Sequence, residues 1–287
     1  MFCSKCGTQL NDNDKFCYQC GEKIIISSIQ NNEAIQDGDK IENVENNNEN
    51  NNANDLIEEG KAFEKNGQYE EAIEYFLKAT KLNPNSDIAF NSLGYAYKDM
   101  GKYNEAIEVF LRAIELNNNN SDNWVGLIYT YMDCGEYKKA IEFSLKAIEI
   151  NQNEYMYWLA LGNSYKSTFN NMYYEDAKSS YLKAANLNPN ESIIWDSLAD
   201  LYKMQGKYKE ALDTLLKATK LSPNNVDILF SLANLYGEIG KYDEEVKAFK
   251  KCVELDPKDY LNWKCLGKAY KKIGQYKKSI ESYLKSI

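Results

Sequence analysis

The chain has 287 residues, 44% hydrophobic and 27% charged, with a formal net charge of −9, seven cysteines and no histidine. This acidity weighs against general phosphate-backbone binding, and the missing histidine excludes His-based triads and His-ligated metal centres while leaving carboxylate, lysine or cysteine chemistry open. No apolar run approaches the roughly 20 residues that span a bilayer, and the opening MFCSKCG does not read as a secretion signal. Clustered cysteines without an export signal point to thiolates kept reduced in a cytoplasm.

Residues 1–23 carry Cys3, Cys6, Cys17 and Cys20 as C-x2-C, ten intervening residues and C-x2-C. Two short turns with this spacing bring four thiolates to one tetrahedral Zn2+, and Gly7 and Gly21 permit those turns. Phe2, Leu10 and Phe16 supply only a tiny apolar cover, so metal binding would provide the folding energy. A filled four-thiolate shell has no open position for catalysis, which makes the zinc structural; another metal or redox chemistry are the weaker alternatives. The segment resembles the short zinc ribbon found at the start of many bacterial and archaeal proteins. Lys5, Lys15 and Lys23 are offset by Asp12, Asp14 and Glu22, a balance that does not favour DNA.

Residues 24–52 are acidic and Asn-rich, including NNNENNN, with few apolar residues to bury. Composition predicts a flexible, disordered linker.

From Ala53 onward one 34-residue pattern recurs: 53–86, 87–120, 121–154, 155–191 (three residues longer), 192–225, 226–259 and 260–287. In the second repeat Phe90, Leu93, Gly94 and Tyr97 share one helical face, Gly101 marks a turn, and Tyr103, Ala106, Phe110 and Ala113 share a second face. The chain's four prolines, Pro84, Pro189, Pro223 and Pro257, fall at the same late position and should end the second helix. A stack of such units builds surface and buries its apolar residues between neighbours.

The array resembles tetratricopeptide repeats, through Trp124/Leu127/Tyr131, Trp158/Leu161/Gly162/Tyr165 and Trp263/Leu266/Gly267/Tyr270 in first helices and Ala72/Phe76/Ala79, Ala140/Ala147 and Ala177/Tyr181/Ala184 in second helices. The resemblance covers residues 53–287. It implies an all-α, right-handed superhelical solenoid of seven antiparallel helix pairs, here preceded by the small four-cysteine zinc ribbon and the linker. It further implies a concave groove that receives an extended peptide or a helix of a protein partner. By the family's geometry the groove presents Asn91, Tyr95, Lys98, Tyr129, Asn163, Lys166, Asp196, Asp200, Lys203, Phe230 and Asn234. One subset of the family grips a chaperone's terminal carboxylate with a Lys/Asn, Asn, Lys/Arg pattern. The relevant positions here read Ile57/Lys61, Ser92 and Asp122/Gly126, so that clamp is not expected.

The departures from the pattern carry their own expectations. Glu59 replaces a leucine and predicts a wetter outer face on the first repeat. The third repeat has Ile128, Ser144 and Gln152 in place of Gly, Phe and Pro, and the fourth lacks the turn glycine, with Phe169, Met172 and Tyr173 in a longer turn. Glu245 stands where repeats one to five have alanine. A carboxylate at a tight helix crossing costs stability unless it reaches water, so Glu245→Ala is expected to raise the melting temperature. The last repeat carries a basic patch of Lys264, Lys268, Lys271 and Lys272, and its second helix leaves an apolar face suited to self-association.

These features predict a non-catalytic cytoplasmic scaffold or adaptor with one structural Zn2+, a protein or peptide segment as partner and no membrane span. The alternative is a nucleic-acid-associated regulator using the zinc ribbon and the basic last repeat, a reading that the net charge of −9 opposes.

Overall fold

The computed structural model describes residues 42–287, with side chains from Asn52 onward. The four cysteines at positions 3, 6, 17 and 20 lie outside the described residues. Those described contain fourteen α-helices, one short 3-10 turn and no strand. They divide into two compact units, up to Gln152 and from Asn153 onward.

The first unit contains α1 (Glu42–Lys65), α2 (Tyr69–Leu82), α3 (Asp87–Asp99), α4 (Tyr103–Leu116), α5 (Ser121–Asp133) and α6 (Tyr137–Ile150). The second contains α7 (Tyr155–Ser167), α8 (Tyr174–Leu187), α9 (Ser192–Met204), α10 (Tyr208–Leu221), α11 (Val226–Glu238), α12 (Tyr242–Leu255), α13 (Tyr260–Lys272) and α14 (Tyr276–Lys285). Each odd-numbered helix pairs with the next, and first helices also touch across α1–α3 and α3–α5 in the first unit and across α7–α9 and α9–α11 in the second. One boundary differs from the sequence expectation. Residues 42–52, expected to be linker, form the opening turns of α1. No proline or glycine interrupts the chain between Glu42 and Glu59, so the helix continues backward from its packed end.

Local chemistry sets the helix limits. Six turn glycines (67, 101, 135, 206, 240 and 274) have φ between +71° and +81°, a conformation that costs a side chain strain. In the fourth repeat Phe169 takes this role at φ +52° and is 73% exposed. The 3-10 turn Asn171–Tyr173 follows, and Tyr173 stacks on Tyr165 with ring centroids 5.5 Å apart, while Met172 remains exposed. At the other junctions the helices end two residues before Pro84, Pro189, Pro223 and Pro257. Tryptophan then ties the link to the next helix: the indole N–H donates to the Asn118 carbonyl from Trp124, to that of Pro189 from Trp195, and to that of Pro257 from Trp263, at 2.9–3.0 Å.

Packing explains the altered third repeat. In the second repeat Gly94 makes room for the Phe110 ring, and a Cβ there would come within 2.8 Å of it. Gly126, on the following first helix, leaves space for the same ring. The third repeat exchanges the sizes: Ile128 is fully buried where the glycine stood, and Ser144 replaces the phenylalanine and donates to the Ala140 carbonyl at 2.7 Å. A large–small pair becomes a small–large pair, which conserves interior volume. Glu59 is exposed on α1, consistent with the wetter face expected there.

The expectation for Glu245 is corrected. It is buried at 4% exposure, and its two carboxylate oxygens accept from Lys272 Nζ at 2.7 and 3.0 Å. Gly237 leaves the space: a Cβ there would lie 2.6 Å from Glu245 Oε1 and 2.8 Å from Lys272 Nζ. The carboxylate is thus an ion-paired tie between the sixth and seventh repeats rather than an uncompensated charge.

Candidate binding groove

In the first unit the expected groove residues lie half-buried on α3 (Asn91, Tyr95, Lys98) and α5 (Tyr129). Several are already engaged. Asn91 donates to Asn123 Oδ1 at 2.9 Å, and Lys98 pairs with Asp99 at 3.0 Å and with Asp133 at 3.6 Å. Tyr95 meets Phe110 edge-on with centroids 5.1 Å apart, and burial, with Asp122 nearby, pushes its phenol well above the ordinary range. The sequence reading missed Asn123. This fully buried side chain donates to the Asn117 and Ala113 carbonyls at 3.1 and 3.2 Å and to Asp87 at 3.3 Å. The available signal was an asparagine at a motif position that holds Ala89, Ile194 and Ile228 in three other repeats and a second buried asparagine, Asn262, in the last.

In the second unit the structure brings four expected residues into one concavity of about 290 Å3: Lys166 from α7, and Asp196, Asp200 and Lys203 from α9. The hydroxyl residues Ser197 and Ser231 add polar lining, and Leu215 and Leu235 form part of an apolar floor. Periodicity places the charges. Positions 196, 200 and 203 are spaced by four and three residues and so share one helical face, while Lys166 reaches across from the preceding first helix.

The two carboxylates have opposite environments. Burial opposes ionisation of Asp200, but Lys166 at 2.9 Å and Lys203 at 3.6 Å outweigh it and hold its pKa below the ordinary value. Burial raises the pKa of Asp196; hydrogen bonding with Ser231 and the charge of Lys166 oppose the rise, and the charges of Asp200 and Asp227 add to it. Both lysines face Asp200, and Asp196 has a hydroxyl partner but, among the described residues, no ion pair.

The remaining expected residues flank this concavity in sequence without lining it. Asn163 accepts from the Tyr181 hydroxyl at 2.7 Å; Phe230 packs edge-on against Phe249 with centroids 5.4 Å apart; Asn234 is half-buried on α11. Lys264, Lys268, Lys271 and Lys272 are all exposed on α13, with the Lys272 ammonium committed to Glu245. On α14, Ile280 is 61% exposed and Leu284 is also exposed, whereas Ile73 and Ile107 at the motif position of Ile280 are buried. Cys134, Cys252 and Cys265 are free thiols, and burial pushes Cys252 up to about 11, which keeps it protonated and unreactive at neutral pH. No described helix is long and apolar enough to cross a membrane.

Comparison with known families matches TPR repeats at residues 60–101 and 199–240, and tetratricopeptide repeats at 88–120, at 124–154 and 226–259, and at 180–213 and 248–281. A zinc-ribbon domain matches residues 2–24, which include all four cysteines of the double C-x2-C pattern. Comparison with curated proteins gave no match. Among solved structures, a thermophilic TPR protein of Thermus thermophilus is 21% identical, covering 68% of this chain and 100% of its own, with a TM-score of 0.55. A tetratricopeptide repeat protein of Parabacteroides merdae is 20% identical, with coverages of 82% and 92% and a TM-score of 0.58. The APC/C hetero-tetramer Cut9-Hcn1 matches at 19% identity, covering 80% of this chain and 45% of that one, with a TM-score of 0.58. With its matched repeats and helix pairs, this chain belongs to the tetratricopeptide repeat proteins and carries a zinc-ribbon domain ahead of its repeats.

Proposed function

We propose that the protein is a non-catalytic cytoplasmic scaffold or adaptor that receives partner-protein segments against its first helices and uses the zinc ribbon as a tethered second contact. The observation carrying this reading is the 290 Å3 concavity into which polar side chains of α7, α9 and α11 converge over an apolar floor. Polar groups converging in such a setting orient a segment. Tetratricopeptide repeats are an interaction fold, and the related Cut9-Hcn1 structure is itself a hetero-tetramer.

Cys3, Cys6, Cys17 and Cys20 would hold one Zn2+ in a closed, structural shell; the four-thiolate set suits that metal. Joining two modest contacts by a tether raises avidity when both sites are reachable. Self-association through the exposed Ile280 and Leu284 of α14 is a further contact in this reading, supported by the burial of Ile73 and Ile107 in earlier repeats.

Capture from native cytosol with three full-length baits tests the reading: the intact protein, Cys3→Ser/Cys6→Ser and Ser197→Ala/Ser231→Ala. The expected result is a shared partner set on the first two, lost from the third, with one zinc per intact chain and none in the cysteine variant. Partners lost from the cysteine variant and retained by the groove variant would make the zinc ribbon the recognition module instead.

A further inference from the structure

Three features of the α7–α9–α11 concavity bear on what enters it. First, its positive charges are already taken: Lys166 and Lys203 both face Asp200, at 2.9 and 3.6 Å. An incoming anion would compete with that carboxylate for the same ammonium groups. Second, Asp196 lies in the same concavity with no ion pair among the described residues, and Asp227 adds negative potential beside it. Third, the concavity is lined by the hydroxyls of Ser197 and Ser231 near its charged groups, and the buried Leu215 and Leu235 close its base. Hydroxyls accept hydrogen bonds from a cation.

We infer that Asp196 is the docking carboxylate for a lysine or arginine side chain of the partner segment, with the cationic head between Asp196, Ser197 and Ser231. This deepens the proposed groove function and rests on it. Burial makes Asp196 a reluctant carboxylate in the free protein, and an arriving cation relieves that cost. A segment lacking a basic residue would leave a desolvated carboxylate covered and uncompensated.

The test pans randomised 12-residue peptides displayed on phage against the full-length protein. Recovered peptides are then synthesised and their affinities measured by fluorescence anisotropy. The expected peptides share a lysine or arginine at a fixed register. Asp196→Asn weakens them about tenfold or more, replacing the basic residue by norleucine does the same, and both changes together cost no more than either alone. Asn234→Ala serves as the groove control, and thermal melts confirm that each variant is folded. Peptides that lose affinity with Asn234→Ala, yet ignore Asp196→Asn or share no basic residue, would overturn the cation pocket and leave the groove reading intact. Peptides indifferent to both substitutions, or failure to recover any binder, would overturn both.

Discussion

Asp196 and Asp200 sit one turn apart on α9, and their surroundings drive them in opposite directions. For Asp196 the folded pKa is raised, so its contribution to stability is fully present below the unfolded value, near 3.8, and is lost as pH rises through the folded value. Asp196→Asn is therefore expected to raise the melting temperature at pH 7, with the gain closing as pH falls toward 3.8. For Asp200 the folded pKa is lowered, so its contribution is present above about 3.8 and lost as pH falls through the folded value. Asp200→Asn is expected to lower the melting temperature at pH 7, with wild type and variant converging in stronger acid. Melting curves collected from pH 3 to pH 8 check both signs. The residue scale also shows why side-chain identity alone was an incomplete guide. Asn91 was legible as a polar groove position, yet one of its N–H groups is spent on the buried Asn123.

Individual helices are joined by devices of differing legibility. Turn glycines and the proline junctions follow from backbone sterics and could be read directly. The Ile128/Ser144 exchange looked like two separate departures from the pattern and becomes one compensated change only when α5 and α6 are packed together. Glu245 is the strongest case. Its position in α12 marked it as a misplaced charge, but Lys272 of α13 reaches it through the gap beside Gly237. The two ends of this tie are unequal, since Lys272 is 40% exposed and Glu245 only 6% by side chain. Glu245→Ala frees an ammonium that can turn to water, and is expected to cost about 1–3 kcal/mol. Lys272→Met strands a buried carboxylate and is expected to cost more, with the double variant recovering part of the loss. Urea denaturation of the four proteins gives the cycle directly; a higher melting temperature in Glu245→Ala would restore the expectation drawn from repeat pattern alone.

For the whole molecule, the exposed apolar residues of α14 predict self-association. Sedimentation velocity over a hundredfold concentration range should show mass rising with concentration, and Ile280→Glu should return it to the monomer; a constant monomer mass in the wild type removes this contact. The sequence by itself determined the repeat register, the helix pairing, the turn positions and the double C-x2-C motif. Each depends on local periodicity or on backbone conformations restricted to particular residues. Tertiary structure alone decided how charges far apart in the chain neutralise one another. Lys166 meets Asp200 across 34 positions and Lys272 meets Glu245 across 27. Such pairs depend on how one helix stacks on the next, and that stacking left Asp196 beside two lysines already engaged with Asp200.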